Sequence, residues 1–288
     1  MSVVEVWSMI NGTRINHTHG SGNTWTATGT APLKSSWSQP DHKYTVTTYA
    51  KDDAGNTTQH ETQLRVMEKV APVITPVTPT TGSTITNNKP TITWNITDDD
   101  SGVNVDTIGI TIDSGSKITG SAIQKTSITN GYKCTYTPTE ALGDGNHTIK
   151  LDGSDNDGNV AAQKSITLKV DTTPPSLNIT SPDEGSVTNE PQCIVSGTTN
   201  DATSSPVTVT INEEQVTVQS NGTFSKTITL SEGQNIIQIV ATDAAGKSTT
   251  VTRHVTLDTG SPEITSVTIT PDPADAGASI TITAIIVD

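Results

Sequence analysis

Three segments of this chain, residues 44–56, 147–159 and 235–247, align with one another without a gap. Each carries an Asp followed three places later by a Gly: Asp52 and Gly55, Asp155 and Gly158, Asp243 and Gly246. The Asp residues lie 103 and 88 positions apart. A second marker keeps the same register, because Pro72, Pro175 and Pro262 each precede a segment that reads as extended, at spacings of 103 and 87. Self-similarity at a fixed period means like-folded units in a row, and about 100 residues is the length of an immunoglobulin-type sandwich.

Within each copy the residues before the Asp alternate. Val46, Thr48 and Ala50, then Ile149, Leu151 and Gly153, then Ile237, Ile239 and Ala241 sit every second place between more polar neighbours. Period two means a strand with one buried face. The Asp is suited to accept hydrogen bonds from turn amides, and the Gly to supply a positive φ at no steric cost. Each copy therefore predicts the last hairpin of a sandwich. The expected fold class is all-β, tandem immunoglobulin-like β-sandwiches arranged as an elongated rod. Its parts are an incomplete module over 1–71 (strands C to G), full modules over 72–174 and 175–261, and a strand pair over 262–288. Short linkers such as 171–175, stiffened by Pro174 and Pro175, favour end-to-end stacking.

Composition agrees. One Phe, four Trp and four Tyr serve 288 residues, so cores must be modest and built from β-branched side chains, which suit a pleated sheet. Sixteen Lys and Arg against 30 Asp and Glu give a net charge of −14. Such a chain repels a phosphate backbone, and nucleic acid is not an expected partner. No apolar run approaches the roughly 18 residues of a membrane span, so no membrane insertion is expected. The N-terminus lacks the basic and apolar regions of a signal peptide, which fits release by lysis, as of a virus particle, or a piece of a longer protein. Cys134 and Cys193 fall in different modules on alternating strands, and both are expected to be buried thiols rather than a bridge.

Residues 221–224 (Asn-Gly-Thr-Phe), 230–236 (Leu-Ser-Glu-Gly-Gln-Asn-Ile) and 241–246 (Ala-Thr-Asp-Ala-Ala-Gly) together resemble the bacterial immunoglobulin-like modules of surface proteins and of accessory domains in polysaccharide-degrading enzymes. Residues 91–94 (Thr-Ile-Thr-Trp) followed by 100–103 (Asp-Ser-Gly-Val) resemble a related type. The opening segment and residues 264–280 are similar to modules in tail-associated proteins of phages that infect Gram-positive bacteria. The resemblance implies an extracellular protein of a virion or cell surface that acts as stalk, spacer or adhesive tip. Two functions stay open on it: a non-enzymatic structural rod or fibre of a phage tail, or a glycan- or protein-binding adhesin with module one as its tip.

Candidate sites are few. No GxSxG, HExxH or phosphate-cradling Gly loop occurs, so no catalytic residue and no enzyme is expected. Calcium is the one cofactor with any support: Asp98, Asp99 and Asp100 could meet Asp155 and Asp157 from the last hairpin of module two, although turn-capping accounts for the same residues. His17 and His19 form an H-x-H pair without a third ligand. Module one holds Trp7, Trp25, Trp37, Tyr44 and Tyr49. Trp7 and Tyr44 fall on apolar strand positions and are assigned to the core, whereas Trp25 and Trp37 are candidates for stacking on a cell-surface glycan or a protein.

The two ends complement each other. Module one starts at its Trp-bearing strand, and the C-terminal piece offers strands A and B of a further module. Val267, Ile269, Ile280, Ile282, Ile285 and Val287 are accordingly expected to cover Val4, Val6, Trp7 and Val46 of the next subunit, a head-to-tail self-association by strand addition. Another structural protein supplying each missing half is the alternative partner.

Overall fold

The computed structural model describes residues 2–288, and its secondary structure is strands joined by turns and two single-turn 3-10 helices. The chain divides into two compact units, residues 1–170 and 171–288.

The first unit opens with a four-stranded antiparallel sheet in the order Thr13–Asn16, Val3–Ile10, Tyr44–Asp52, Thr57–Leu64. Its buried apolar side chains are Val6, Ile10 and Tyr44. Val46, Thr48 and Ala50 stay half-buried, and the whole strand Thr57–Leu64 is exposed. A loop and the short ladder of Thr18–His19 with Trp25–Thr26 follow Thr13–Asn16.

Two further sheets make the module that follows. One runs Val103–Ile112, Gly145–Asp155, Lys164–Val170, Ser83–Ile85 and the other Gln124–Ile128, Gly131–Tyr136, Ile92–Thr97, Val73–Thr78. Between them Trp94, Ile96, Ile108, Ile110, Ile149 and Leu151 are fully buried. Gly153 continues the Ile149–Leu151 face because a Cβ there would lie 2.4 Å from Ile96 Cδ1; the absent side chain is the seat of Ile96.

The second unit repeats the plan. Ser176–Ser181, Gln192–Asn200 and Thr223–Thr229 form one sheet, and Ser186–Thr188, Ser248–Leu257, Gly233–Thr242, Thr208–Ile211 and Glu214–Val216 the other. Ile237, Ile239 and Ala241 are buried while Ile236 is 63% exposed, the period of two expected from the sequence. In both modules one short strand pairs in parallel with the last strand: Ser83–Ile85 with Lys164–Val170, and Ser186–Thr188 with Ser248–Leu257. A separate two-stranded hairpin, Glu263–Thr270 with Thr281–Val287, completes the unit.

Cys134 and Cys193 are free and buried, one in each module. Burial pushes the Cys134 thiol up to about 11, against the opposing charge of Lys125, so it behaves as a small hydrophobe.

One surface pair gives the second module a pH dependence. His147 Nδ1 lies 2.8 Å from Asp113 Oδ2, and its Nε2 lies 2.8 Å from the Gly143 carbonyl. Burial alone would lower the His147 value, but the Gly143 carbonyl and the Asp113 carboxylate outweigh it and raise the value. Asp113 also feels burial, which raises it; the Thr148 amide and His147 prevail and lower it. The His term is fully present below its unfolded value and is lost as pH rises through the raised one. The Asp term is present above its unfolded value and is lost as pH falls. Their overlap runs from about pH 4 to about 6.5. Thermal melts of His147→Ala should show a destabilisation of about 0.5–1 kcal/mol near pH 5 that shrinks by pH 8.

Candidate functional site

The three repeat turns follow one design. Asp52 Oδ1 accepts the amides of Ala54 and Asn56, Asp155 Oδ1 that of Asn159, and Asp243 Oδ1 those of Ala245 and Lys247. Gly55, Gly158 and Gly246 have φ of +90, +94 and +86°. In the first two turns an Asn side chain four places on also donates to Oδ2, from Asn56 at 2.9 Å and from Asn159 at 2.7 Å.

Around Asp155 this turn meets the segment that leaves module one. Glu68 accepts the Ser101 amide at 2.6 Å. Its own amide donates to Asp157 Oδ2, which also takes the Ser35 hydroxyl at 2.6 Å, and Arg65 stands 3.6 Å from Asp157. The Ser35 amide reaches both oxygens of Asp100 at 3.0 Å, and Asp99 accepts from the Asn130 side chain. Asp99, Asp100 and Asp157 are thus occupied by donors of the protein itself. Of the five residues proposed for calcium, Asp98 and Asp155 come together, and the third member of their group is Glu68, with carboxylate oxygens within 4.8 Å of one another. Burial raises the Glu68 carboxyl; the bonds from Ser101 oppose this, and the like charges of Asp98 and Asp100 add to it.

A second group, Asp171, Asp201 and Asp243, lies wholly within the second unit, again with oxygens within 4.8 Å of one another, and all three residues are buried. Glu68, Asp171 and Asp201 were not singled out from the sequence. Their signal was available: Glu68 to Asp171 and Asp98 to Asp201 are both 103 positions, and Asp155 to Asp243 is 88, the spacings of the repeat itself.

Of the two aromatic residues of module one assigned to the core, one lies inside and one does not. Tyr44 is buried, with its hydroxyl on the Lys34 carbonyl. Trp7, assigned to the core, lies on the opposite face of its strand from buried Val6, Ser8 and Ile10. It stacks on Tyr49 at 5.1 Å under the Arg14 guanidinium, itself paired with Glu5. The alternation of the strand makes this inevitable once Val6 and Ile10 face inward. Trp25 is half-buried, edge-on to His19 at 4.8 Å, and Trp37 half-buried, stacked on His42 at 3.9 Å. His17 is held by the Ser8 hydroxyl at 2.9 Å, so the H-x-H pair faces two different neighbours.

The inner side of the module-one sheet borders an open groove of about 290 Å³ lined by Ile10, Ile15, Ala27, Ala31, Val46 and Leu64, with Ser8, His17 and Thr30 as its polar members. Val4 is 53% exposed. The C-terminal hairpin has an uncovered apolar face. Ladder partners share a face, and the pairs Ile264–Ile286, Val267–Ala284 and Ile269–Ile282 stack along one side. A bulge between Ile264 and Ser266 keeps Ile264 on that side. Ile285 and Val287, grouped with Ile282 from the sequence, pair with Ser266 and Glu263 and so belong to the other, Thr-rich side. Ile280 lies just before the second strand and is 49% exposed. Among the described residues no helix is long and apolar enough to cross a membrane.

Comparison with known proteins follows these lines. Residues 78–172 match the family model described as a bacterial Ig-like domain, and residues 175–259 that of glucodextranase, domain B. Bacillopeptidase F of Bacillus subtilis (strain 168) is 33% identical over 109 residues, covering 38% of this chain and 7% of that protein. Among solved structures, the fibronectin(III)-like modules of Clostridium thermocellum CbhA align over 64% of this chain and 94% of theirs, with 16% identity and a TM-score of 0.34. A structure of a 1.5-MDa bacterial ice-binding adhesin aligns over 89% of this chain and 87% of its own, with 20% identity and a TM-score of 0.32. Family matches and sheet topology agree on tandem immunoglobulin-like β-sandwich modules.

Proposed function

We propose that the chain is a non-enzymatic structural element of an extracellular assembly, a fibre or rod at the surface of a virion or a cell, whose copies join head to tail by strand addition. The observation that carries this reading is the hairpin Glu263–Thr270 with Thr281–Val287. Ile264, Ile269, Ile282 and Ile286 are 61, 47, 62 and 58% exposed on its one apolar side. A lone two-stranded ribbon is marginally stable in water, and a contiguous apolar face marks an interaction surface. The sheet of module one offers the complement, a largely apolar groove and an exposed edge strand. In this arrangement the hairpin of one copy covers the groove of the next, and the heterologous contact propagates. The family matches to immunoglobulin-like modules support the spacer role of the two complete sandwiches.

Sedimentation velocity on the full chain should show concentration-dependent oligomers. Ile282→Asp, on the apolar side, should leave monomers, while Thr283→Asp, on the other side of the same strand, should not. A full chain that stays monomeric at millimolar concentration, or an Ile282→Asp chain that still associates, would remove the proposal.

A further inference from the structure

We propose that Asp171, Asp201 and Asp243 form a calcium site in the second unit. The first observation is their proximity. Three carboxylate oxygens within 4.8 Å of one another are close enough to share one calcium at about 2.4 Å from each. All three residues are buried, Asp171 fully, and like charges so placed repel one another and have given up hydration, a cost that a shared cation offsets.

The second observation is independent of the clustering. Each carboxylate spends Oδ1 on its own loop: Asp171 on the Thr173 amide, Asp201 on the Thr203 and Ser204 amides, Asp243 on those of Ala245 and Lys247. Oδ2 of Asp171 and Oδ2 of Asp243 are buried and accept no hydrogen bond, and the neighbouring Ser204 hydroxyl is likewise buried and unpartnered. Buried carboxylate oxygens without a donor are rare because the desolvation penalty is large. A hard cation that takes six to eight oxygens fits them.

The repeat explains why Asp243 Oδ2 is free. At the equivalent positions of the preceding repeats, Asn56 and Asn159 donate their side-chain amides to Asp52 and Asp155. The third repeat has Lys247 there, a half-buried side chain, and the amide that would satisfy Asp243 Oδ2 is missing. The other ties of the site are kept. The Asn156 side chain bonds the Ser101 carbonyl in the first group, and the Ala244 amide bonds the Ser204 carbonyl in the second, at matching repeat positions. The loops carrying Asp201 and Asp243 are therefore held together by backbone, and Asp171, the first residue of the unit, is drawn in by the ion.

Isothermal titration of the EDTA-treated full chain with calcium chloride should reveal binding in the range of about 10⁻⁴ to 10⁻³ M that extracellular calcium modules use. Calorimetric melts should show the second-unit transition rising by at least about 5 °C at saturating calcium, with a smaller response to magnesium chloride. Asp201→Asn and Asp243→Asn should each remove that rise, and a folded far-UV spectrum in EDTA keeps the comparison valid for whichever variant folds. Calcium binding that persists in both variants would place the ion elsewhere and overturn the assignment. A second-unit transition that ignores calcium but rises on acidification would mean a shared proton holds the carboxylates, and would overturn it equally.

Discussion

Replacing Trp94 with alanine should lower the stability of its module by about 3–5 kcal/mol, the range for emptying a buried aromatic site. The indole is fully buried in the strand Ile92–Thr97, opposite Cys134 across the ladder to Gly131–Tyr136. It shares the core with Ile96, Ile108, Ile110, Ile149 and Leu151, and the remaining aromatic side chains of that cluster are Tyr136 and the half-buried Tyr132. A core so poor in rings has few flexible large side chains to collapse into the gap. The Nε1 hydrogen of Trp94 has no acceptor, which separates two variants. Trp94→Phe loses volume but also removes an orphan donor worth about 1–3 kcal/mol, so it should cost far less than Trp94→Ala. Differential calorimetry can score both, with the second-unit transition as internal reference, since distant sites add independently. Equal losses for Phe and Ala would mean that volume alone matters.

Gly222 should be the least replaceable turn residue of the second unit. Its φ is +82°, and a Cβ there would lie 2.3 Å from the Thr199 carbonyl oxygen. The same residue accepts the Thr199 amide at 2.9 Å and donates to the Gln219 carbonyl at 2.8 Å. Thr199 cannot withdraw without opening the end of the ladder between Gln192–Asn200 and Thr223–Thr229, nor Gln219 without opening the turn. Gly222→Ala should therefore cost about 3 kcal/mol or more. Gly246 also has a positive φ, but a Cβ there meets nothing within 4 Å, so Gly246→Val pays only the left-handed backbone term of about 1–2 kcal/mol. Urea melts of the two variants should rank them in that order. A Gly246 variant as damaging as the Gly222 one would show that conformation, and not the Thr199 carbonyl, sets the cost.

The fold was legible where one strand face is buried. Ile149, Leu151, Ile237 and Ile239 alternate in sequence and lie inside, and the Asp-to-Gly turns at 52, 155 and 243 take the conformation their residues imply. Module one was less legible because its sheet buries little: Trp7 looks like core by hydrophobicity, yet its strand sets it against Tyr49 and Arg14 on the outer face. The hairpin face was half legible. Period two gives Val267 with Ile269 and Ile280 with Ile282, and already sets Ile285 and Val287 on the other face of their strand; the ladder register is what joins the Ile282 face to that of Val267 and Ile269. The acidic groups show the limit most clearly. Asp98 and Asp155 stand out as local motifs, whereas Glu68 and Asp171 are lone acids in linkers: the repeat spacing pairs them with each other, but only the topology shows which loops they meet.

The short parallel strands have a mechanical consequence. Ser186–Thr188 lies alongside Val255, Thr256 and Leu257 near the end of the last strand of its sandwich. The Gly185 amide on the His254 carbonyl and the Asp258 amide on the Thr188 carbonyl extend the seam at both ends, and Glu184 holds the His254 ring and amide. Tension applied along the chain at the two ends of this module pulls the two strands in opposite directions along their common axis. Such a load is shared by every bond of the seam at once, in shear, whereas an antiparallel hairpin pulled at its open end yields one rung at a time. Ser83–Ile85 gives the preceding sandwich the same seam against Lys164–Val170. Modules with modest cores can thus resist stretching better than their resistance to heat would suggest.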